Sequence, residues 1–315
     1  MNKNFALNIL VSSTFILCIY GIIVFYFYGN KHSGNWAYSY LIEKYKYANN
    51  DNRKKIVFIG GSNVLFGINT KKIEKEFSIK TVNFGITAGL KTDYYLHIAK
   101  KVANTNDIII TPFEYENYTW DNESIETRQL FLFSYDKEYL ISQGLVHLFK
   151  EIYSVPILDL IKNLYKDKLL YNKIKINNNY KNLRINTNGD IIFEENSEII
   201  NRVDLQFDIS SKFHETYALK KIKEFNSYAR KNNIKFYVSY PNIVTHKDYY
   251  TTKYIDYFNN LKKYFDDNNI NIIGTPEMAM YDYNDTYDAR YHLNKNGIKK
   301  RTNNFIKHIK EEIIQ

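Results

Sequence analysis

After residue 54, five short runs rich in Ile, Val and Phe alternate with helical stretches: Lys55–Ile59 (KIVFI), Lys80–Phe84 (KTVNF), Asp107–Thr111 (DIIIT), Ile234–Tyr240 (IKFYVSY) and Asn269–Ile273 (NINII). Short continuous β-branched runs separated by helices read as strands of a parallel sheet covered by helices on both faces. Amphipathic patterns near Thr70–Phe77, Asp93–Val102, Glu215–Lys231 and Lys253–Asp266 supply the crossover helices. Such a sheet gathers its functional groups at the C-terminal ends of its strands. The series breaks between Asn117 and about Ser211. There Ile125–Leu170 reads as apolar helices and Leu183–Phe193 as a hairpin turning at Asn188-Gly189. We expect this insertion, at about 120–210, to pack over or beside the strand ends, as a lid, a substrate-binding elaboration or a docking site for a partner.

The chain begins differently. Phe5–Tyr28 runs 24 residues without a charge, enough helix at ~1.5 Å per residue to cross the ~30 Å hydrocarbon core of a bilayer. The apolar part of a cleaved signal peptide is shorter, ~7–15 residues, and no small-x-small cleavage site follows here. Tyr26-Phe27-Tyr28 fits an aromatic belt at the interface. Lys3 precedes the run and Lys31 and His32 follow it, so charge alone orients it weakly. A short tail ahead of one span stays inside, which puts the remainder outside the cytoplasm. The expected organisation is an anchor at 1–30, a linker at 31–54 and one domain at 55–315 carrying the insertion.

Composition closes off other classes. With 44% hydrophobic residues in 315, the chain can bury a core and is not disordered. Its one cysteine, Cys18, lies in the apolar run, so no intrachain disulfide and no cysteine-based metal centre can form. The net charge of +9 comes from scattered lysines, among them Lys71, Lys72, Lys75, Lys220, Lys221, Lys223, Lys299 and Lys300, not from a basic stripe. Nucleic acid is therefore not an expected partner; a solvated surface, anionic lipid or polysaccharide suits the charge better. No metal and no cofactor is expected.

Two segments carry chemistry. Gly60-Gly61-Ser62-Asn63 sits where the first strand gives way to a helix. The glycines allow a sharp corner, and a serine there is raised to the top of the sheet with its own N–H near a helix N-terminus, where an oxyanion finds donors. A bland alternative is that Ser62 caps the helix. The segment lacks the signatures of a phosphate-binding or dinucleotide-binding loop. The second segment, Asp288-Ala289-Arg290-Tyr291-His292-Leu293-Asn294, follows the fifth run and precedes Gly297 and a terminal helix. An Asp and a His in one loop can meet, the carboxylate holding one ring nitrogen and leaving the other as a base for Ser62.

With these motifs the chain resembles the SGNH/GDSL superfamily of esterases and acyltransferases, from about Lys55 to the C-terminus and excluding the insertion. The resemblance rests on Gly61-Ser62-Asn63, on Asn83-Phe84-Gly85 with Gly89, and on Asp288 with His292-Leu293-Asn294. It implies a flavodoxin-like three-layer sandwich with a five-stranded parallel sheet, Ser62 as nucleophile, His292 as base and Asp288 as its orienter. The N–H of Ser62 and that of Gly89 or Gly85 would form the oxyanion hole, with Asn63 and Asn294 lining the site. The family's Asp stands three residues before its His, which makes Asp285 an alternative to Asp288. Where the family has its oxyanion asparagine this chain has Glu114, in Thr111-Pro112-Phe113-Glu114-Tyr115-Glu116-Asn117, so either Asn117 is the substitute donor or the hole relies on backbone donors only. A membrane-anchored member facing outward is similar to proteins of alginate O-acetylation and of D-alanyl transfer to lipoteichoic acid. That likeness implies O-acetyl or other acyl transfer to a cell-surface glycan or lipid beside a membrane-bound O-acyltransferase. An esterase, or a non-catalytic scaffold binding glycan or that partner, are the alternatives.

Overall fold

The structure, a computed structural model, describes residues 3–29, 35–170, 184–193, 206–209 and 212–314. Lys31, His32 and Leu183 lie outside the described residues. The chain divides into two compact units, Met1–Tyr38 with Glu123–Asn179, and Ser39–Asn122 with Tyr180–Gln315. In chain order, α1 is Lys3–Phe27 and α2 Asn35–Ala48, followed by β1 (Lys55–Gly60), α3 (Ser62–Leu65), α4 (Thr70–Phe77), β2 (Lys80–Gly85), α5 (Lys91–Val102), β3 (Ile108–Thr111) and α6 (Tyr115–Tyr118). The helices α7 (Glu126–Tyr135), α8 (Lys137–Ser142), α9 (Leu145–Tyr153) and α10 (Ile157–Leu170) come next, then the short strands β4 (Arg184–Ile185) and β5 (Ile191–Ile192). The chain continues with α11 (Tyr217–Lys231), β6 (Lys235–Ser239), β7 (Ile243–Val244), α12 (Thr252–Asp267), β8 (Asn271–Ile273), β9 (Met280–Tyr281) and α13 (Lys295–His308).

The second unit is built on a five-stranded parallel sheet in the order β2-β1-β3-β6-β8. All five strands are those read from the sequence. Alternate residues of the central strands, Ile56, Phe58, Ile108 and Ile110, pack with Ile73 of α4 and Phe305 of α13. At the opposite end of the strands from the glycine corner, Lys55 and Asp107 form a fully buried ion pair, Nζ to Oδ2 2.7 Å, and Asp107 also accepts the Lys55 and Asn104 N–H groups. Removing either partner would leave an uncompensated buried charge, which costs ~3–5 kcal/mol.

β2 is an edge strand, yet every residue in it is buried. The β4–β5 hairpin covers it: Asn188 accepts the Asn83 N–H through its carbonyl (2.8 Å) and donates its amide to the Thr81 carbonyl (2.9 Å), occupying the open edge as a strand residue would. Asp190 of the same turn accepts the Thr70 and Lys71 N–H groups at the start of α4.

The insertion is not one piece. The hairpin belongs to the sheet unit, but Glu123–Asn179 groups with the N-terminal segment instead. The reason is aromatic packing within that unit: Phe133 of α7 meets Tyr28 edge-on at 5.8 Å, and Tyr135 stacks on Tyr38 at 4.3 Å. The Gly29 backbone lies so close to Phe133 that a Cβ there would come within 2.4 Å of its carbonyl carbon. α1 is long and apolar enough to cross a membrane, with a mean hydropathy of 2.3.

The stretch read as a linker contains α2, whose Tyr40, Leu41, Lys44 and Ala48 are buried along one face. Lys44 takes an apolar position there. Its ammonium donates to the Gly85 carbonyl at 2.5 Å, and burial pulls its pKa down to about 7 despite the carboxylates of Asp190 and Glu43. A lysine titrating lower when folded than when unfolded binds fewer protons in the native state, so stability rises with pH between about 7 and 10.5. Urea titrations should show this rise, at most about 1.4 kcal/mol per pH unit for one proton. The Lys44→Met protein should lack it; an equal slope in both proteins would mean that Lys44 stays charged in the fold.

Candidate active site

β1 ends in Gly60, and Gly61 turns the chain into α3 with Ser62 as its first residue. The corner is tight. A Cβ on Gly61 would lie 2.8 Å from Glu114 Oε1 and 3.0 Å from Ala88 Cα, so only glycine lets both the post-β3 loop and the 88–90 turn approach. Glu114, directly ahead of α6, is buried against Ser62: the serine hydroxyl and the Asn63 N–H each donate to its Oε1 at 3.1 Å. Burial, and then the charge of Glu116, push the Glu114 carboxyl above the ordinary range, while the Asn63 N–H, the His292 charge and the Ser62 hydroxyl pull it back.

On the other side of the corner the Asp288–His292 loop is closed by a bridge between Thr286 and Leu293 and by the His292 N–H donating to the Ala289 carbonyl. This turn accommodates the four-residue spacing. His292 Nδ1 lies 2.5 Å from Asp288 Oδ1, and both side chains are buried. The imidazole stacks on Phe66 at 4.4 Å and 19°, and the Leu293 N–H donates to the Phe66 carbonyl at 3.0 Å. Phe66 caps α3, its N–H bonded to the Ser62 carbonyl at 2.8 Å, so the imidazole is seated on the helix that Ser62 begins. Arg290 and Tyr291 fix the loop from behind by both donating to Glu116, Tyr291 Oη at 2.7 Å.

Several expected site residues have other employment. The Ser62 hydroxyl donates to Glu114 Oε1. Asp285 is held by Lys300 at 2.6 Å, which leaves Asp288 on the imidazole. Gly85 is not an oxyanion donor: its N–H goes to Asn83 Oδ1 at 2.8 Å, and a Cβ there would sit 2.0 Å from the Leu65 nitrogen. Its glycine serves the close packing of α3 on β2. Asn294 does not line the site but caps α13, accepting the Asn296 and Gly297 N–H groups and donating to the carbonyls of Asn284 and Thr286. The Asn63 amide ties the corner to the Pro112 carbonyl and is fully buried. Asn117 is buried too, its side-chain amide without a hydrogen-bond partner and its main-chain carbonyl accepting from the Thr92 hydroxyl, so a ligand cannot reach it without movement of α6. Gly89 lies in the turn that abuts Gly61.

The sequence reading overlooked Lys44, Phe66 and Glu116. Glu116 alone left a trace, as a second carboxylate two residues from Glu114; the other two are ordinary residues until the chain is folded.

No family model matches this chain, and no curated protein matches it. A solved structure described as "The structure of a putative platelet activating factor from Streptococcus pneumonia" aligns with a TM-score of 0.38 and 12% identity, over 98% of this chain and 100% of that one. A likeness at that level leaves both fold and function to be argued from the chain's own residues.

Proposed function

We propose that the chain is an acyl-transfer enzyme of the SGNH/GDSL type, anchored by α1 with the remainder outside the cytoplasm and built as a flavodoxin-like three-layer sandwich. What supports the reading above all is the buried Asp288–His292 pair, its ring stacked on Phe66 of the Ser62 helix. In the reaction the Ser62 hydroxyl leaves Glu114 and gives its proton to His292, while Oγ attacks the donor's acyl carbonyl. The carbonyl oxygen becomes an oxyanion met by backbone donors of the Ser62 corner and the Gly89 turn. Its collapse breaks the bond to the leaving group, which departs with the proton from His292, and leaves an acyl-Ser62 ester. A hydroxyl of a cell-surface glycan or lipid then loses its proton to His292 and attacks the ester, and Ser62 Oγ leaves with that proton from His292, which restores both residues. A membrane-bound O-acyltransferase is the proposed source of the acyl group, acetyl being the group first to test. Water in place of the acceptor makes the same site an esterase. The test is incubation of the full-length protein with p-nitrophenyl acetate: a mass increase of one acetyl group, mapped to the Ser62 peptide, is the expected result. An adduct confined to other residues would end the proposal.

The Ser62–Glu114 hydrogen bond favours a second reading, a scaffold with a disabled site, because a carboxylate beside the nucleophile repels an oxyanion. Glu114→Gln separates the two, since the amide oxygen can still accept both bonds. Because the Glu114 carboxyl titrates above its usual range, its charge and hence its repulsion grow as pH rises. The variant should therefore acylate faster than wild type by about tenfold at high pH, roughly 1.4 kcal/mol of relieved repulsion, and by little in acid. No acylation of either protein at any pH would favour the scaffold.

A further inference from the structure

In the unit formed by Met1–Tyr38 and Glu123–Asn179, two helices present apolar faces outward. Leu145, Val146 and Phe149 of α9, and Ile157, Leu158 and Ile161 of α10, follow the same i, i+1, i+4 spacing, the face a water-soluble domain buries. Here all six are exposed, Val146 at 86% and Leu158 at 65%. Isolated exposed apolar residues need no explanation, but a contiguous stripe on two successive helices does.

α9 and the loop after it are locked to the middle of α1. Tyr153 Oη donates to the Leu17 carbonyl at 3.2 Å, Tyr20 Oη donates to the Val155 carbonyl, and the two tyrosine rings stack at 6.2 Å. Leu17 and Tyr20 stand 11 and 8 residues before Tyr28, hence roughly 12–17 Å along the helix from the aromatic end of the apolar run. Wherever α1 lies at that level, the end of α9 lies with it.

We propose that α9 and α10 are embedded in the bilayer beside α1, with lipid acyl chains as the occupant of their apolar faces. The proposal rests on the reading of α1 as a membrane span. The charges of the same unit fit such surroundings. Arg128 and Glu151 pair at 2.8 Å with side chains 0% and 1% exposed, and Gln129 donates to Glu151 as well, so these charges are satisfied internally as a lipid setting demands. Lys162 pairs with Asp159 of the same helix at 3.0 Å, and Lys150 is exposed on a long stem that can extend its ammonium toward the headgroups. The exposed apolar surface of α1, including Phe15 and Ile16, supplies the same chemistry alongside.

The experiment uses the full chain carrying Cys18→Ser, with a single cysteine introduced at Phe15, Val146, Leu158 or, as a water-facing reference, Tyr250. Each protein is nitroxide-labelled and placed in vesicles of phosphatidylcholine and phosphatidylglycerol. Collisions with oxygen, which partitions into lipid, are compared with those of a water-soluble nickel chelate. The expected oxygen-to-nickel ratio at 146 and 158 matches that at 15 and exceeds that at 250 by about an order of magnitude. Nickel access at 146 and 158 with protection at 15 overturns the proposal and makes the faces water-exposed. Immobilised labels shielded from both reagents also overturn it, and point to a protein occupant. Nickel access at 15 itself removes the reading of α1 as a span, a failure distinct from the other two.

Discussion

Ser62→Ala should abolish acylation by p-nitrophenyl acetate, reducing the rate by about six orders of magnitude to background, as loss of a serine nucleophile does elsewhere. No neighbour can replace the oxygen: the adjacent Asn63 has a buried amide bonded to the Pro112 carbonyl, and Glu114 has its carboxyl shared between Ser62 and the Asn63 N–H. The fold should tolerate the change. The variant loses one hydrogen bond to Glu114, worth under about 2 kcal/mol, while the Asn63 N–H still serves that carboxyl. Mass spectrometry of the acylated protein and a thermal melt together check both halves. An undiminished adduct in the variant would assign the nucleophile elsewhere.

Asp288→Asn should leave the nucleophile in place and disable its base. The carboxylate 2.5 Å from His292 Nδ1 keeps the proton on that nitrogen, so Nε2 is left to take the serine proton. An asparagine amide can present its N–H to Nδ1 instead, stabilising the tautomer whose Nε2 is already protonated. The imidazolium formed during the reaction would also lose its countercharge. A fall of about 10⁴ in the rate of acylation is expected, with the adduct still appearing on Ser62 after long incubation. A role in holding the loop alone would predict something else. Tyr287, Ala289, Arg290 and Tyr291 keep their bonds in the variant, so a merely structural Asp288 would give less than about a tenfold change, paralleling the loss of stability.

Particular residues show where a sequence stops being informative. The strands at Lys55 and Ile108 are legible because a parallel strand buried on both faces is mostly apolar, a local property of the chain. The strand at Lys80 keeps Val82 and Phe84 of that pattern beside its buried Lys80, Thr81 and Asn83. The glycine corner at 60–61 is legible for the same kind of reason, since a sharp strand-to-helix turn restricts residue type locally. The Asn188-Gly189 turn is too, although that it would seal the edge of β2 is not.

What tertiary structure alone decided are the partnerships between distant positions. Asp285 and Asp288 are equivalent as sequence; Lys300 on α13 takes one and leaves the other to His292. Gly85 and Gly89 look alike as donors until Asn83 and the packing of α3 remove Gly85. Asn294 reads as a site residue and works as a helix cap because α13 begins at Lys295, directly after it and two residues before the Gly297 at which the motif places the helix start. The division of the insertion between two units depends on where Phe133 and Tyr153 find aromatic and backbone partners, more than 100 residues away in the chain. Pattern along the chain records burial and turn geometry, which each residue feels individually. Hydrogen bonds, ion pairs and ring contacts are pair properties, settled only when folding brings both members together, and the chemistry proposed at Ser62 is made of such pairs.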